Sequence, residues 1–240
     1  MLAAGASPLG NPHGSSAEIS CVDPMASNLS KMLPLLVLVA AVLAFGAIAA
    51  NVVVSGRLTA LDVDLAGWLH RHATTELTAF MRIVSDLNST FAVASYAAAV
   101  ALYQAARRHW RRVATLVACV GGVLALNVLL KTAFQRARPV FDDPLLTLAT
   151  YSFPSGHVAG STVLYGLFVV WVFGHTPQWH WRVLAIGGAF LVVVLVALSR
   201  MVLGVHYLSD VVAAFAEGIG WLVLCFGLMA AFWPREAAMR

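Results

Sequence analysis

Three short motifs between residues 131 and 210 combine cations, hydroxyl groups, imidazoles and a carboxylate. In one-letter code they are KTAFQRARP at 131–139, PSGH at 154–157 and SRMVLGVHYLSD at 199–210. Cations and hydroxyl groups bind anions, whereas imidazoles and a carboxylate transfer protons or attack an electrophile. The combination suits an anion that is first bound and then split.

Five of these residues predict a phosphate-binding site. Phosphoryl transfer requires positive charge and hydrogen-bond donors around the phosphate oxygens. Arg138 and Arg200 can each bind phosphate through two parallel N–H donors, and Lys131 adds a point charge. Ser155 and Gly156 stand just before a predicted helix, where a hydroxyl group and free backbone N–H groups could complete the set of donors.

His206, Asp210 and His157 are the predicted reacting groups. His206 and Asp210 are four residues apart, so on a helix they lie on one face. A carboxylate bonded to one ring nitrogen fixes the tautomer and leaves the other nitrogen as a lone-pair donor. We therefore expect His206 to attack phosphorus, giving a phosphohistidine that water then hydrolyses. His157, on a different helix, would act first as acid and then as base.

The elements that must position these residues are membrane helices. The chain has 240 residues, of which 60% are hydrophobic and 11% charged, whereas a soluble domain averages about 25% charged residues. Six hydrophobic segments are predicted, at 33–54, 87–106, 113–131, 157–174, 183–200 and 208–233. Backbone polar groups cannot stay unpaired in lipid, so the segments must be helices. The expected fold is all-α, a polytopic membrane protein with a bundle of six transmembrane helices.

Alternating helix direction places all three motifs at one face of the membrane. The densest basic loop, 107–112, joins the second and third helices and is expected in the cytoplasm. Both termini would then be cytoplasmic and the motifs would lie at the outer face. A helix count wrong by one would separate two motifs by about 30 Å.

Two further regions complete the predicted organisation. Segment 57–86 has leucines at helical spacing among charged residues, which predicts an interfacial amphipathic helix at the outer face. An ordinary helix that packs on the bundle explains the same pattern. Residues 1–30, rich in Ser, Gly, Pro and Asn, are expected to be a disordered tail, and residues 31–240 to form one membrane domain.

Other residues of the chain carry weaker arguments. The histidines and cysteines lack metal-ligand spacing, so no metal is expected, and no basic stripe with interleaved aromatic residues indicates nucleic acid. Arg136 could be a fourth phosphate contact or could serve another purpose. Glu217, deeper on the last helix, could tune the site or form an interhelical hydrogen bond. The 140–153 loop, with Asp142 and Asp143, could cover a substrate headgroup, although solvated loop acids are the usual case.

The patterns KxxxxxxRP, PSGH and SRxxxxxHxxxD resemble the three signatures of the type 2 phosphatidic acid phosphatase (PAP2) superfamily, which includes membrane lipid phosphatases and soluble vanadium haloperoxidases. Every usual functional position is matched, at Lys131, Arg138, Ser155, Gly156, His157, Arg200, His206 and Asp210. The resemblance implies a six-helix bundle, hydrolysis without a metal or other cofactor, and an outward-facing site for lipids. One departure is Leu208, where many relatives have proline, and it leaves the expected chemistry unchanged.

Together these features predict an integral membrane phosphatase that acts on a lipid phosphate or diphosphate, with the lipid bilayer as its other partner. Undecaprenyl diphosphate, phosphatidylglycerophosphate, phosphatidic acid and lipid A phosphate are the candidate substrates, and a bacterial inner membrane is the expected location. A lipid phosphotransferase, in which a second lipid accepts the phosphoryl group from His206, is the alternative.

Three other function classes fit the sequence less well. A transporter or scramblase needs polar residues at mid-depth, where only Glu217 is found. A relative that only binds its ligand would have lost one of the family positions. Haloperoxidase activity belongs to soluble members of the family.

Overall fold

The structure, a computed structural model, describes residues 24–233, with side chains from residue 32, and contains helices but no strands in that range. Its α-helices are α1 (Pro24–Val53), α2 (Arg57–Arg71), α3 (Thr75–Leu87), α4 (Thr90–Ala106), α5 (Trp110–Leu116), α6 (Gly122–Phe134), α7 (Gly156–His175), α8 (Trp179–Val202) and α9 (Leu208–Phe232). A short π-helical segment, Val117–Gly121, joins α5 to α6. The all-α prediction is confirmed.

The membrane-spanning helices coincide with the predicted hydrophobic segments. In the described part of the chain, 5 helical stretches are long and apolar enough to cross a membrane, at Met32–Val53, Trp110–Phe134, Gly156–His175, Trp179–Val202 and Leu208–Phe232. The remaining predicted segment forms α4, whose 17 residues lie at the lower end of the length that a crossing requires.

The π-helical segment lies against Trp221 of α9. Its wider turn frees backbone carbonyls, and the indole Nε1 of Trp221 donates to Ala118 O and Cys119 O, both at 3.0 Å. Gly122 allows this approach, since a Cβ atom there would lie 2.3 Å from the Trp221 ring. The long span thus keeps its backbone satisfied while α9 packs closely against it.

The segment predicted as an amphipathic helix forms two helices, α2 and α3. Thr74 separates them, and its side chain accepts a hydrogen bond from the Leu77 N–H at 3.2 Å, which caps α3. Helix α2 packs on α1, α8 and α9, and α3 packs mainly on α8. The explanation by packing on the bundle therefore applies, because α2 buries Asp62 and Ala66 there. The position of α2 at the outer interface stays a prediction.

Helices α7 and α9 form the centre of the bundle. Helix α7 packs against α8 and α9, and α1 covers another side of α9. The core includes Val93, Val123, Val163 and Val196, all buried. Helix α1 begins at Pro24, inside the segment that we assigned to the tail, and residues 1–23 lie outside the described residues.

Candidate active site

The three motifs meet at one end of the bundle, where α6 and α8 end and α7 and α9 begin. Arg138 Nη1 lies 3.3 Å from His206 Nε2, so the first and third motifs touch directly. The N–H of Ser155 donates to the carbonyl of Asp210 at 3.2 Å, which joins the second motif to the third. The expected convergence at one membrane face is therefore present.

The imidazole of His206 is held between Asp210 and Arg138. His206 Nδ1 lies 3.3 Å from Asp210 Oδ2, and Nε2 faces the Arg138 donor at the same distance. Because a guanidinium can only donate, Nε2 must accept, and the proton lies on Nδ1 beside the carboxylate. Nε2 therefore carries the lone pair on the side of the three cations, as a nucleophile requires.

The environment of His206 keeps it neutral. Burial lowers the pKa of His206 well below its ordinary value, and the positive charges of Arg200, Arg138 and Lys131 lower it further. The ring is therefore unprotonated at neutral pH, with its lone pair available. The N–H of Tyr207 donates to Asp210 Oδ2 at 2.9 Å, which fixes the carboxylate beside the ring.

The Arg138 guanidinium is held by backbone oxygens of the loop between α6 and α7 and by Val205. Nε donates to Thr150 O at 2.7 Å, Nη1 to Val205 O at 2.6 Å and Nη2 to Tyr151 O at 3.0 Å. Nη2 also donates to Thr150 Oγ1 at 2.9 Å. With the contact to His206, every N–H of Arg138 faces an acceptor. The expected bidentate grip on phosphate therefore requires some of these bonds to be exchanged.

Lys131 is held by the same loop. Its Nζ donates to Tyr151 O at 2.6 Å and to Ser152 O at 3.3 Å. An ammonium group has three protons, so one donor remains for another acceptor. Lys131 interacts electrostatically with Arg138, Asp210 and Arg200, which places its charge inside the cluster.

Two polar atoms of the predicted phosphate site are buried without a hydrogen-bond partner among the described residues. They are Ser155 Oγ and Arg200 Nε. Arg200 is 2% exposed, and its Nη1 donates to Ser85 Oγ. Buried polar groups are normally paired, since an unpaired one costs about 1–3 kcal/mol. Each of these two atoms therefore has hydrogen-bonding capacity left for a polar ligand.

The second motif differs from the expectation in one detail. The Ser155 N–H is used by Asp210 O, so the backbone donors of this motif that remain for an anion lie in the first turn of α7, at Gly156 and His157. A Cβ atom on Gly156 would lie 2.9 Å from Asn127 Oδ1, so the position requires glycine. His157 is half-buried and interacts electrostatically with Arg200 and His206.

Arg136 faces carboxylates, whereas Arg138 faces the imidazole. Its Nη1 donates to Asp210 Oδ1 at 2.6 Å and to Ser209 Oγ at 2.7 Å, and its Nη2 donates to Asp62 Oδ2 at 2.8 Å. The guanidinium also lies 4.3 Å from the ring centre of Tyr207. Although burial alone would lower it, the pKa of Arg136 is raised by Asp210 and Asp62. Arg136 thus holds the carboxylates of α2 and α9, which is a purpose other than the phosphate contact that we considered.

Several residues at the site lie outside the three motifs. Asp62 of α2 and Ser85 of α3 are buried partners of the third motif and of Arg136. Asn127 Nδ2 donates to Glu217 Oε2 at 3.1 Å and to Pro154 O at 3.4 Å. Glu217 thus forms an interhelical hydrogen bond, one of the two roles that we considered for it. The only sequence signal for these residues was a polar side chain among apolar neighbours.

The loop between α6 and α7, here called the covering loop, is held in place at the site by contacts with α2 and α3. His70 Nε2 lies 2.8 Å from Asp143 Oδ1, and the His70 ring stacks on Phe141 with centres 4.0 Å apart. Arg82 Nη2 donates to Leu145 O at 2.9 Å. Gly204 supports this packing, because it has a φ of +71° and a Cβ atom there would lie 3.0 Å from Phe141. Asp143 therefore contacts His70 but is still a solvated loop acid, the usual expectation, because 87% of its side chain is exposed.

Comparison with known proteins identifies relatives of the chain. The model of the PAP2 superfamily matches residues 112–234. Phosphatidylglycerophosphatase B of Bacillus subtilis (strain 168) is 36% identical over 96 residues, which are 39% of this chain and 46% of that protein. The chain thus aligns with about half the length of this relative.

Two crystal structures share the fold. One is the first transmembrane PAP2 type phosphatidylglycerolphosphate phosphatase from Bacillus subtilis, with a TM-score of 0.73, 24% identity, and coverage of 82% of this chain and 98% of that chain. The other is Aquifex aeolicus LpxE, with a TM-score of 0.54, 22% identity, and coverage of 70% and 95%. At these identities the structures support the architecture.

Proposed function

The chain belongs to the PAP2 superfamily, and on this premise we propose that it is an integral membrane phosphatase that hydrolyses a lipid phosphate or diphosphate. The observation that carries the proposal is the pair of buried polar atoms, Ser155 Oγ and Arg200 Nε, that have no hydrogen-bond partner among the described residues. The charge of Arg200 also acts on His206. A tetrahedral anion supplies acceptors for both polar atoms, and the nearby Lys131 and Arg138 balance its charge.

The proposed reaction proceeds through a phosphohistidine. Nε2 of His206 attacks phosphorus, the bond from phosphorus to the lipid oxygen breaks, and His157 gives that oxygen a proton. His157 then takes a proton from water, whose oxygen attacks the phosphohistidine and releases inorganic phosphate with neutral His206. Lys131, Arg138, Arg200, Ser155 and Gly156 would hold the equatorial oxygens in both steps.

The proposed hydrolysis needs no metal ion. The side chains that face the predicted phosphate position are cations and a hydroxyl group, and cations bind phosphate without a bridging metal. No cluster of three or more metal-ligating side chains occurs among residues 32–233. We expect activity to persist in EDTA and to be inhibited by vanadate, which forms the same five-coordinate geometry. A strict magnesium requirement would contradict this proposal.

Two cavities support a lipid substrate. One of about 350 Å³ lies between Arg138 and the covering loop and could hold a headgroup. Another of about 410 Å³ is lined almost entirely by aliphatic and aromatic side chains of α2, α7, α8 and α9, including Val158 and Val211. Those two residues follow His157 and Asp210 in the chain, so the cavity lies near the end of the bundle that holds the site.

The remaining details belong to the same proposal. Residues 31–240 would form the phosphatase domain, with the site at the outer face of a bacterial inner membrane and both termini in the cytoplasm. The name of the Bacillus subtilis relative makes phosphatidylglycerophosphate the first candidate substrate, beside phosphatidic acid, undecaprenyl diphosphate and lipid A phosphate.

Product analysis with purified protein tests this function. The protein would be incubated in detergent with each of these lipids carrying a labelled terminal phosphate. Release of labelled inorganic phosphate is expected, whereas label in a second lipid would favour the phosphotransferase alternative. Absence of turnover with every lipid, from protein that is monodisperse and correctly folded, would contradict the proposal.

A further inference from the structure

Helix α2 contributes a buried carboxylate at the back of the site. Asp62 is 2% exposed, and Oδ1 accepts the N–H of Ser209 at 2.9 Å. Its Oδ2 accepts the Ser209 hydroxyl at 2.5 Å and Arg136 Nη2 at 2.8 Å. One side chain of α2 therefore satisfies a free N–H in the first turn of α9 and also anchors Arg136.

Arg136 connects Asp62 to Asp210. The guanidinium bridges the two carboxylates, with Nη2 on Asp62 and Nη1 on Asp210 Oδ1 at 2.6 Å. Because the guanidinium is planar and rigid, fixing one end fixes the direction of the other. Asp210 is wholly buried, and its other oxygen lies beside His206 Nδ1. The chain of contacts from α2 thus ends at the ring that faces the phosphate site.

We infer that Asp62 is a positioning residue, which acts through Arg136 and Ser209 to set the orientation of Asp210 and of the His206 ring. The inference rests on the proposed function for its effect on turnover. It adds to the site a residue from α2, outside the three motifs and outside the matched residues 112–234. Asp62 touches none of the groups that face the phosphate.

The negative charge of Asp62 is the essential property. In the variant Asp62→Asn the amide oxygen could still accept from the Ser209 N–H, but the NH₂ group would point at Ser209 Oγ and at the Arg136 donors. Two donors facing each other cannot bond, so Arg136 would lose its anchor. A ring displaced by about 1 Å from its line of attack costs up to roughly 100-fold in rate. The structure therefore predicts a loss of rate without a loss of phosphate binding.

The test is Asp62→Asn, with Asp64→Asn as its matched control. Asp64 is an exposed carboxylate on the same helix, so its change alters the charge of α2 equally without touching the site. We expect Asp62→Asn to lower the single-turnover rate constant about 10–100-fold and to change the KM and the inhibition by inorganic phosphate less than about threefold. Asp64→Asn should match the wild type.

Single-turnover measurement separates positioning from folding. Misfolded molecules reduce the amount of active enzyme but leave the rate constant of the active molecules unchanged. A lowered steady-state kcat with an unchanged single-turnover rate constant would therefore overturn the inference. If Asp62→Asn does not fold, Ser209→Ala removes one contact of the same chain at small structural cost. It should lower the rate constant about threefold to tenfold, and an unchanged rate would also overturn the inference.

A double-variant cycle tests the route through Arg136. If Asp62 acts through that guanidinium, adding Asp62→Asn to Arg136→Met should cost less than about threefold beyond Arg136→Met alone. If the rate of the double variant is instead lowered by the product of the two single-variant factors, this route is contradicted.

A spectroscopic readout is independent of any substrate. Nitrogen NMR of the His206 ring should show a protonated Nδ1 and an unprotonated Nε2 in the wild type. In Asp62→Asn the Nδ1 resonance should shift, because the hydrogen bond from Nδ1–H to Asp210 would be weakened. An unchanged ring spectrum would overturn the inference. A wild-type chain that cleaves no lipid phosphate would instead contradict the proposed function, and the ring spectrum would still decide the role of Asp62.

Discussion

The two parts of the described chain supply different kinds of group to the site. Residues 110–233 provide every side chain that faces the predicted phosphate position. Residues 32–106 provide side chains that hold those groups from behind, with Asp62 on Arg136 and Ser209, and Ser85 on Arg200. The reacting groups and their supports thus come from separate stretches of sequence.

The segment that matches the family model thus contains all the predicted catalytic and phosphate-binding residues. It depends on residues outside the segment to hold some of them in place. Arg200 and Asp210 are buried charges, and each buried charge needs partners that keep it in one orientation. Arg200 is held by Ser85 of α3, and Asp210 is held by Arg136, which Asp62 of α2 anchors in turn. Helices α2 and α3 pack against α8 and α9. If the comparison holds, substitutions of the predicted catalytic and phosphate-binding residues in 110–233 should cost more activity than substitutions of the supporting residues in 32–106.

His206→Ala should have the largest effect, because it removes the attacking nitrogen. We expect kcat to fall at least about 10⁴-fold, as for other enzymes that lose a nucleophile or its base. The measurement is release of phosphate from a lipid phosphate under saturating conditions. His175→Ala, at the opposite end of α7 and exposed, is the matched control and should leave kcat unchanged. Substantial turnover by His206→Ala would exclude the phosphohistidine route.

Arg200→Lys should have the second largest effect. Lysine keeps the positive charge but loses the planar fork and the Nε donor that is unpartnered among the described residues. Removing one such donor from a transition-state site costs about 10²–10³-fold, so we expect a fall of that size in kcat/KM. Inhibition by vanadate should weaken in parallel. An activity close to wild type would show that charge alone is sufficient at this position.

Ser85→Ala tests the supporting part of the chain. Its hydroxyl accepts from Arg200 Nη1, and hydrogen bonds to charged groups contribute roughly 1.5–3 kcal/mol. We expect kcat/KM to fall about tenfold, which is less than for Arg200→Lys. Ser55→Ala, an exposed serine between α1 and α2, is the control. A loss as large as that of Arg200→Lys would remove the distinction between reacting and supporting groups.

The pH dependence should show the smallest change. His206 attacks only when it is neutral, and its lowered pKa keeps it neutral as the pH falls through 6.5. An exposed imidazole would be roughly 90% protonated at pH 5.5. We therefore expect kcat/KM, corrected for ionisation of the substrate, not to fall by more than about threefold between pH 7.5 and pH 5.5. A tenfold loss with a midpoint near 6.5 would show an ordinary histidine.

The sequence predicted the helices and the residues that face the phosphate because both leave a regular pattern. Hydrophobic segments long enough to cross lipid appear as runs, and the observed spans begin and end within a few residues of them. His206 and Asp210 are close in the chain, so their contact follows from helical spacing. The second and third motifs are separated by two membrane crossings, which return the chain to the same face, and no crossing separates the first motif from the second.

Long-range support could not be predicted in the same way. Asp62 meets Ser209 across 147 positions, and Ser85 meets Arg200 across 115. No spacing rule connects such residues, since their contact depends on how α2 and α3 pack on the bundle. The role of Arg136 was missed for the same reason, because its partner Asp62 lies in a different part of the chain.

The carbonyl groups of Thr150, Tyr151 and Val205 give the site one further property. Before any anion arrives, peptide carbonyl groups already accept hydrogen bonds from Arg138 and Lys131, so these two neighbouring cations are stabilised without a bound phosphate. Phosphate must replace these carbonyl groups rather than meet bare charges, and its net gain on binding is correspondingly small. If the chain hydrolyses a lipid phosphate, we therefore expect the released phosphate to bind weakly, which would favour continued turnover over product inhibition.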